Sequence, residues 1–384
     1  MSNITGVRTT GNIAAARRAV DMAKEIARLD PNDGPFLTFL KLAKKDSRIV
    51  YNPKFEWLED ELLATWGEVD GATLAASTSL AVADGSIFRV NDVIKIPSTG
   101  EQMLVTAIAG NTLTVARGYG ATAAANIADE AVVLNVGSAM PENSSQRVVK
   151  STKETNAYNY TQIFRTPIAL SGTEAASRLN GGKDRNYQRR KASLEHKRDI
   201  ARAMYYGERK EDVSGATPRR TMGGLLQFLG ANSVAFDAST LPLTYRNFDL
   251  EVAQQAFRYG SEDKLLIAGP QLAAAINQWA EKKLVTDVKD NTHGIRVKNL
   301  VTSYGDLKVV YDPLLEGSIY GGYGFVIDPD NVRYVHLDGR DTKLNVDVQN
   351  NDVDGIVDEF LTECSLEVRL PKTHMLITGA YVAE

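Results

Sequence analysis

The sequence holds a single cysteine, Cys364, among 384 residues. One thiol excludes an intrachain disulfide and a thiolate metal cluster. Histidine is almost as scarce: His196, His293, His336 and His374 lie far apart, in no metal-ligand spacing. No apolar run approaches the roughly 18 residues that a membrane helix needs. The opening stretch, Met1-Ser2-Asn3-Ile4-Thr5-Gly6, has no apolar core of the kind a secretory leader carries. These absences predict a protein made in the cytoplasm, with no membrane partner. A Gly-x-Ser-x-Gly elbow and a His-Glu-x-x-His helix are also missing. Gly118-Tyr119-Gly120 lacks the strand-before-helix order and the Gly-Lys-Ser/Thr ending of a phosphate cradle. No catalytic residue, cofactor or metal ligand is assigned on these grounds, and an enzyme is not expected.

What is present is ordinary for a globular chain: 43% hydrophobic and 24% charged residues. The net charge of -4 speaks against tight, general nucleic-acid binding over the whole surface. The length suggests roughly two or three domains.

Near the start, Ile13, Ala16, Val20, Ala23 and Ile26 recur at helical spacing, which predicts an amphipathic helix over 12–30 that Asp30-Pro31 stops. A second short helix is expected over 35–44. Two short helices at a chain end read as an arm, and an apolar stripe on an arm suits a neighbouring subunit. Over 48–69, Tyr51, Phe55, Trp57 and Trp66 mix with Glu56, Glu59, Asp60 and Glu61. No histidine stands near these acids, so an interface reading is preferred to a metal site.

Residues 71–137 read as a separate β unit. Short apolar runs at 80–82, 88–90, 93–96, 103–105, 112–115 and 131–134 are separated by Asp84-Gly85, Asn91-Asp92, Ser98-Thr99-Gly100 and Gly110-Asn111. Such spacing predicts a small antiparallel barrel or sandwich. The β-favouring stretch 147–170 reads as a return limb that pairs with 48–69 in a two-stranded arm. Such an arm is marginal alone.

Ser171 followed by Glu174 is a capping-box start. A helix over about 183–206 would span roughly 36 Å. Its first part carries Lys183, Arg185, Arg189, Arg190, Lys191, Lys197, Arg198 and Arg202 against Asp184, Glu195 and Asp199. That face suits either packaged nucleic acid or an acidic neighbour, or it is solvated with internal pairs such as Lys191–Glu195. Residues 208–220 read as a polar loop. Helices are expected at 245–259 and 270–282 around a buried strand at 265–268. Strands follow at 295–303, 307–311, 319–327, 332–337, 343–348, 360–369 and 374–382, with Cys364 as a small buried hydrophobe. The acids around Asn350-Asn351-Asp352-Val353-Asp354-Gly355, with Glu359 and Glu363 after them, miss the calcium-loop pattern and read as a solvated turn.

Taken in order, Asn52-Pro53-Lys54-Phe55-Glu56-Trp57-Leu58-Glu59-Asp60, Thr99-Gly100-Glu101, Ala116-Arg117-Gly118-Tyr119-Gly120, Glu195-His196-Lys197-Arg198-Asp199-Ile200 and Thr221-Met222-Gly223-Gly224 resemble the major capsid proteins of tailed bacteriophages. The similar group has a β domain inserted in its extended loop, and the resemblance covers nearly the whole chain by order of elements. It implies an α+β fold of the Hong Kong ninety-seven type, with peripheral and axial domains, a long spine helix and an extended β loop. On this chain it implies an N-terminal arm at 1–45, an extended loop at 46–70 and 138–170, and the inserted β domain at 71–137. The spine helix and following loop would be 171–220. The axial domain plus peripheral-domain strands would be 221–370, and a last strand 371–384.

The resemblance further implies a structural protein of the virion, made in the host bacterial cytoplasm, that self-assembles into hexamers and pentamers of an icosahedral head. Its expected partners are other copies of itself, packaged double-stranded DNA without sequence specificity, and scaffolding, portal and decoration proteins. Candidate inter-subunit contacts are Trp57, Glu59, Asp60, Arg189, Arg190, Arg198 and Arg202. The alternatives are an encapsulin-like nanocompartment shell and a DNA-binding module using the basic helix.

Overall fold

Asp184–Tyr206 is rich in helix-favouring Arg, Lys, Ala, Leu and Glu, lacks glycine and proline, and forms one 23-residue helix. Ala192, His196, Ile200 and Met204 recur every four residues and are buried along one face. Gly207 ends it by necessity. A Cβ there would stand 2.4 Å from the Ala203 carbonyl oxygen and 2.5 Å from that of Met222. The computed structural model describes residues 35–42, 47–177, 184–282 and 298–379. The chain divides into two units: Leu58–Asn156, and Met1–Trp57 together with Ala157–Glu384.

In the larger unit the long helix packs on a sheet ordered Arg48–Val50, Val332–Leu337, Gly355–Val368, Gln162–Ser171, with Lys343–Asn345 also paired to Gly355–Val368. Gln162–Ser171 runs antiparallel to Gly355–Val368 from Gln162↔Cys364 to Ser171↔Gly355. The stretch 162–171, expected in the two-stranded arm, is therefore an edge strand of the main sheet. Its Phe164, Ile168 and Leu170 are buried, and that burial outweighs pairing in an exposed ribbon. The ribbon itself is short, Lys54–Glu59 with Thr155–Tyr160.

Pro35–Leu42 is a helix whose Phe36 and Leu37 join the same core. The Phe36 ring stacks on Tyr205 at 5.0 Å, and Tyr205 stacks on Phe325 at 5.4 Å. The second arm helix thus docks within its own chain, where its apolar side finds the aromatic stack. The helix expected over 12–30 lies outside the described residues.

The same unit carries a six-stranded sheet ordered Ser233–Ala235, Met375–Thr378, Gly324–Ile327, Asp263–Ala268, Asp306–Tyr311, Lys298–Val301. Lys264 to Ala268 are all buried, as expected of a strand covered on both faces. Pro270–Lys282 begins on proline and covers it. The helix expected over 245–259 is present as Tyr245–Phe248 and Gln254–Ala256 joined by a π-helical turn, Asp249–Ala253. Two expectations fail locally. Residues 208–220 hold a β-hairpin, Lys210–Asp212 with Arg219–Thr221, closed by an Arg220–Glu211 ion pair at 2.7 Å. Gly317–Tyr320 is a helical turn, so the strand starts at Gly324, where a Cβ would lie 2.4 Å from Leu272.

In the smaller unit six strands follow the order Trp66–Glu68, Val132–Ser138, Asp92–Lys95, Gln102–Ala109, Thr112–Ala116, Ser79–Ala81. An antiparallel bridge between Val69 and Val82 joins the two end strands, so the sheet closes on itself as a barrel. Leu80, Phe88, Ile94, Met103, Leu113 and Val133 fill its interior. The run 88–90 is not a strand. Asp84 caps a 3₁₀ turn, Gly85–Ile87, which delivers Phe88 into that interior. Glu101 and Arg117, joined by two 2.8 Å hydrogen bonds, pin the 117–125 loop, and Arg117 also donates to the carbonyl oxygens of Leu74 and Ser77.

Candidate assembly surface

Along Lys54–Glu59 the side chains alternate. Phe55 and Trp57 turn inward to Val50 and Val335, while Lys54, Glu56 and Leu58 face out. The Trp57 ring lies 6.1 Å from Phe228 and is 5% exposed. Trp57, expected at a subunit contact, is thus a core residue of its own chain. Glu59 is half-buried and Asp60 exposed. Asp60 accepts a 2.8 Å hydrogen bond from the Thr152 hydroxyl and one of 2.9 Å from the Glu61 N–H. Beside them Leu58 and Leu62 are 70% and 96% exposed.

The basic helix is more committed than its sequence suggests. Arg185 donates two hydrogen bonds to Asp358, at 2.8 and 2.6 Å, and one of 2.7 Å to Asp347. Arg189 donates to Asp358 at 2.8 Å. These guanidinium groups hold the Asp358 carboxyl well below the usual carboxylate range. Arg202 pairs with Asp199, and Lys191 lies 3.9 Å from Glu195. Arg198 is half-buried and Arg190 exposed. The structure therefore spends Arg185 and Arg189 on internal partners.

Asp352 and Asp354 are exposed in a turn, as expected, whereas Glu359 and Glu363, expected to share it, are buried on Gly355–Val368 together with Asp358 and Glu367. Asp358, Glu359, Glu363 and Glu367 are 1%, 8%, 5% and 0% exposed. Asp358 shares the face of Thr362 and Cys364, toward the spine helix. Glu359, Glu363 and Glu367 line the other face and meet Arg165, Arg340 and Arg48 at 2.5, 2.6 and 2.7 Å. Their partners come from other segments of the chain, so no local spacing announces them. His196, 1% exposed, sits between the hydroxyls of Thr166 at 2.9 Å and Thr362 at 2.7 Å, a structural position. Among the described residues no group of His, Cys, Asp or Glu is arranged to hold a metal ion, and no helix is long and apolar enough to cross a membrane.

A long helix on a mixed sheet, a second sheet with its own helices, and a barrel interrupting a two-stranded ribbon define one class. It is the class with the Hong Kong ninety-seven type fold, with peripheral and axial domains and an extended loop that carries the inserted barrel. A solved structure shares this fold. The subunit in the capsid of a native GTA particle matches with a TM-score of 0.50 and 10% identity, over 97% of this chain and 98% of that chain. The capsid of Myoviridae phage XM1 gives a TM-score of 0.49 and 12% identity, over 96% of this chain and 99% of that chain. A family model described as SU10 major capsid protein matches residues 3–381, and the chain belongs to that family. The major capsid protein of Pseudomonas phage PaMx41 is 24% identical over 292 residues, which cover 70% of this chain and 69% of that protein. The chain is thus a major capsid protein of a tailed phage and a structural component of the virion.

Proposed function

We propose that copies of this chain, made in the cytoplasm of a host bacterium, assemble into hexamers and pentamers that close into an icosahedral head around double-stranded DNA. The observation that carries this reading is the ribbon and the limb beyond it. Leu58 and Leu62 lie open beside Glu59, Asp60 and Glu61. Exposed apolar groups rimmed by one sign of charge mark an interaction site. A neighbouring copy supplies the opposite charge, with exposed Arg190 and Lys197 on its long helix. DNA would be held without sequence preference, since an overall charge of -4 leaves only local basic patches for phosphate. Scaffolding, portal and decoration proteins are further candidate partners of such a head.

Electron microscopy and sedimentation of the purified chain, expressed alone and then with its scaffold, test the reading. Closed shells, tubes, or rings of five and six support it. A chain that stays monomeric in both preparations overturns it.

A further inference from the structure

Within the inserted unit, residues 139–151 connect the barrel strand Val132–Ser138 toward the ribbon strand Thr155–Tyr160. This limb has no helix or strand and buries no large apolar side chain. Polar contacts hold it instead. Arg147 pairs with Asp92, whose side chain is 0% exposed. The same carboxylate accepts hydrogen bonds of 2.9 Å from the Arg89 N–H and from Asn135 Nδ2. Three residues further on, Lys150 Nζ donates to the carbonyl oxygens of Ser86 at 2.9 Å and Phe88 at 2.5 Å. Arg89 returns a 3.2 Å hydrogen bond to the Lys150 carbonyl oxygen. Between these anchors Val148 and Val149 are 65% and 87% exposed.

We propose that Arg147 and Lys150 form a two-point latch that pins this limb to the barrel. The charges do the holding, because the limb buries no large apolar side chain. With both anchors made, the connection is divided into the shorter stretches 139–146 and 151–154, and the conformational freedom of a connection falls with its free length. The latch also fixes Val148 and Val149 outward as a rigid pair. Release of either anchor frees the limb without opening the barrel core, since none of the residues filling that core belongs to the limb.

Thermolysin, which cuts before exposed apolar residues, reads the latch in the full-length protein at Val148 and Val149. Cleavage of a locally opened segment tracks the population of the open form. Lys150→Met and Arg147→Gln are each expected to speed this cut about tenfold or more, with the far-ultraviolet circular dichroism of Lys150→Met unchanged. Because Arg147→Gln leaves Asp92 buried and unpaired, the double variant Asp92→Asn/Arg147→Gln serves as its folded counterpart and should show the same acceleration. Equal rates in the unaltered protein and in Lys150→Met overturn the proposal. So does a speeding of cleavage throughout the barrel, which would mean that the contacts hold the domain rather than the limb.

Discussion

Arg185 on the long helix and Asp358 on the central strand stand 173 positions apart and are joined by two hydrogen bonds of 2.8 and 2.6 Å. Asp358 is 1% exposed, and Arg189 adds a third bond to it. Helix and sheet are thereby tied at one buried carboxylate, in addition to their apolar contact. Removing Asp358 deprives both arginines of their shared partner, and because their side chains are 27% and 25% exposed the cost falls below the roughly 3–5 kcal/mol of breaking a fully buried pair. Asp358→Ala should lower the midpoint of urea unfolding accordingly, and Asp358→Asn should recover part of the loss. The acid behaviour has a definite sign. The folded carboxyl is held below its unfolded value, so its contribution is complete above about pH 4 and fades as the pH falls further. The Asn variant should therefore lose less stability than the parent between pH 4 and pH 2.

His374 works in a different window. It is 0% exposed, accepts the Asp328 N–H at 3.0 Å, and lies 3.0 Å from the Arg369 carbonyl oxygen. Burial pushes its pKa down from 6.5 to about 4. The unfolded chain takes up the proton first as the pH falls, so folding weakens between pH 6.5 and 4, by on the order of 3 kcal/mol. His374→Gln should be less stable at pH 8 but show a flatter profile across that interval. A Gln variant with the parent's slope would place the acid sensitivity elsewhere.

Gly207 tests the packing at the end of the long helix. A methyl group there meets two backbone carbonyls, Ala203 and Met222, neither of which can turn aside. Gly207→Ala should destabilise by about 2 kcal/mol, in spite of alanine's better helix propensity. A neutral or stabilising result in chemical denaturation would show that the 207–224 region gives way.

The sequence pattern reveals the elements that depend on local signals. The long helix runs unbroken because no residue interrupts it, and the barrel strands are spaced by their turns. Cys364 is buried in a strand, as its setting suggests. What stays hidden is pairing at long range. Glu359 and Glu363 look like surface acids until Arg165 and Arg340 arrive from elsewhere in the chain. Trp57 looks like an interface residue until Phe228 is placed beside it. The arginines of the long helix show the same limit, since a count of charges cannot say which are already spent.

The acidic limb offers the sharpest test of assembly. Asp60 is exposed and accepts hydrogen bonds from the Thr152 hydroxyl and the Glu61 N–H. Glu59 is half-buried at the end of its strand. Reversing both to lysine should cost the isolated chain little, because charges at or near the surface contribute roughly 0–1 kcal/mol to folding. Against a basic helix on a neighbouring copy, the same change turns two attractions into two repulsions. Glu59→Lys/Asp60→Lys should keep the parent's melting temperature within a few degrees yet yield few shells by electron microscopy. A compensating Arg190→Glu/Lys197→Glu on the same chain should restore a measurable fraction of them. Normal shells from the first variant, or no recovery in the second, would move the charge partner of this limb away from the long helix.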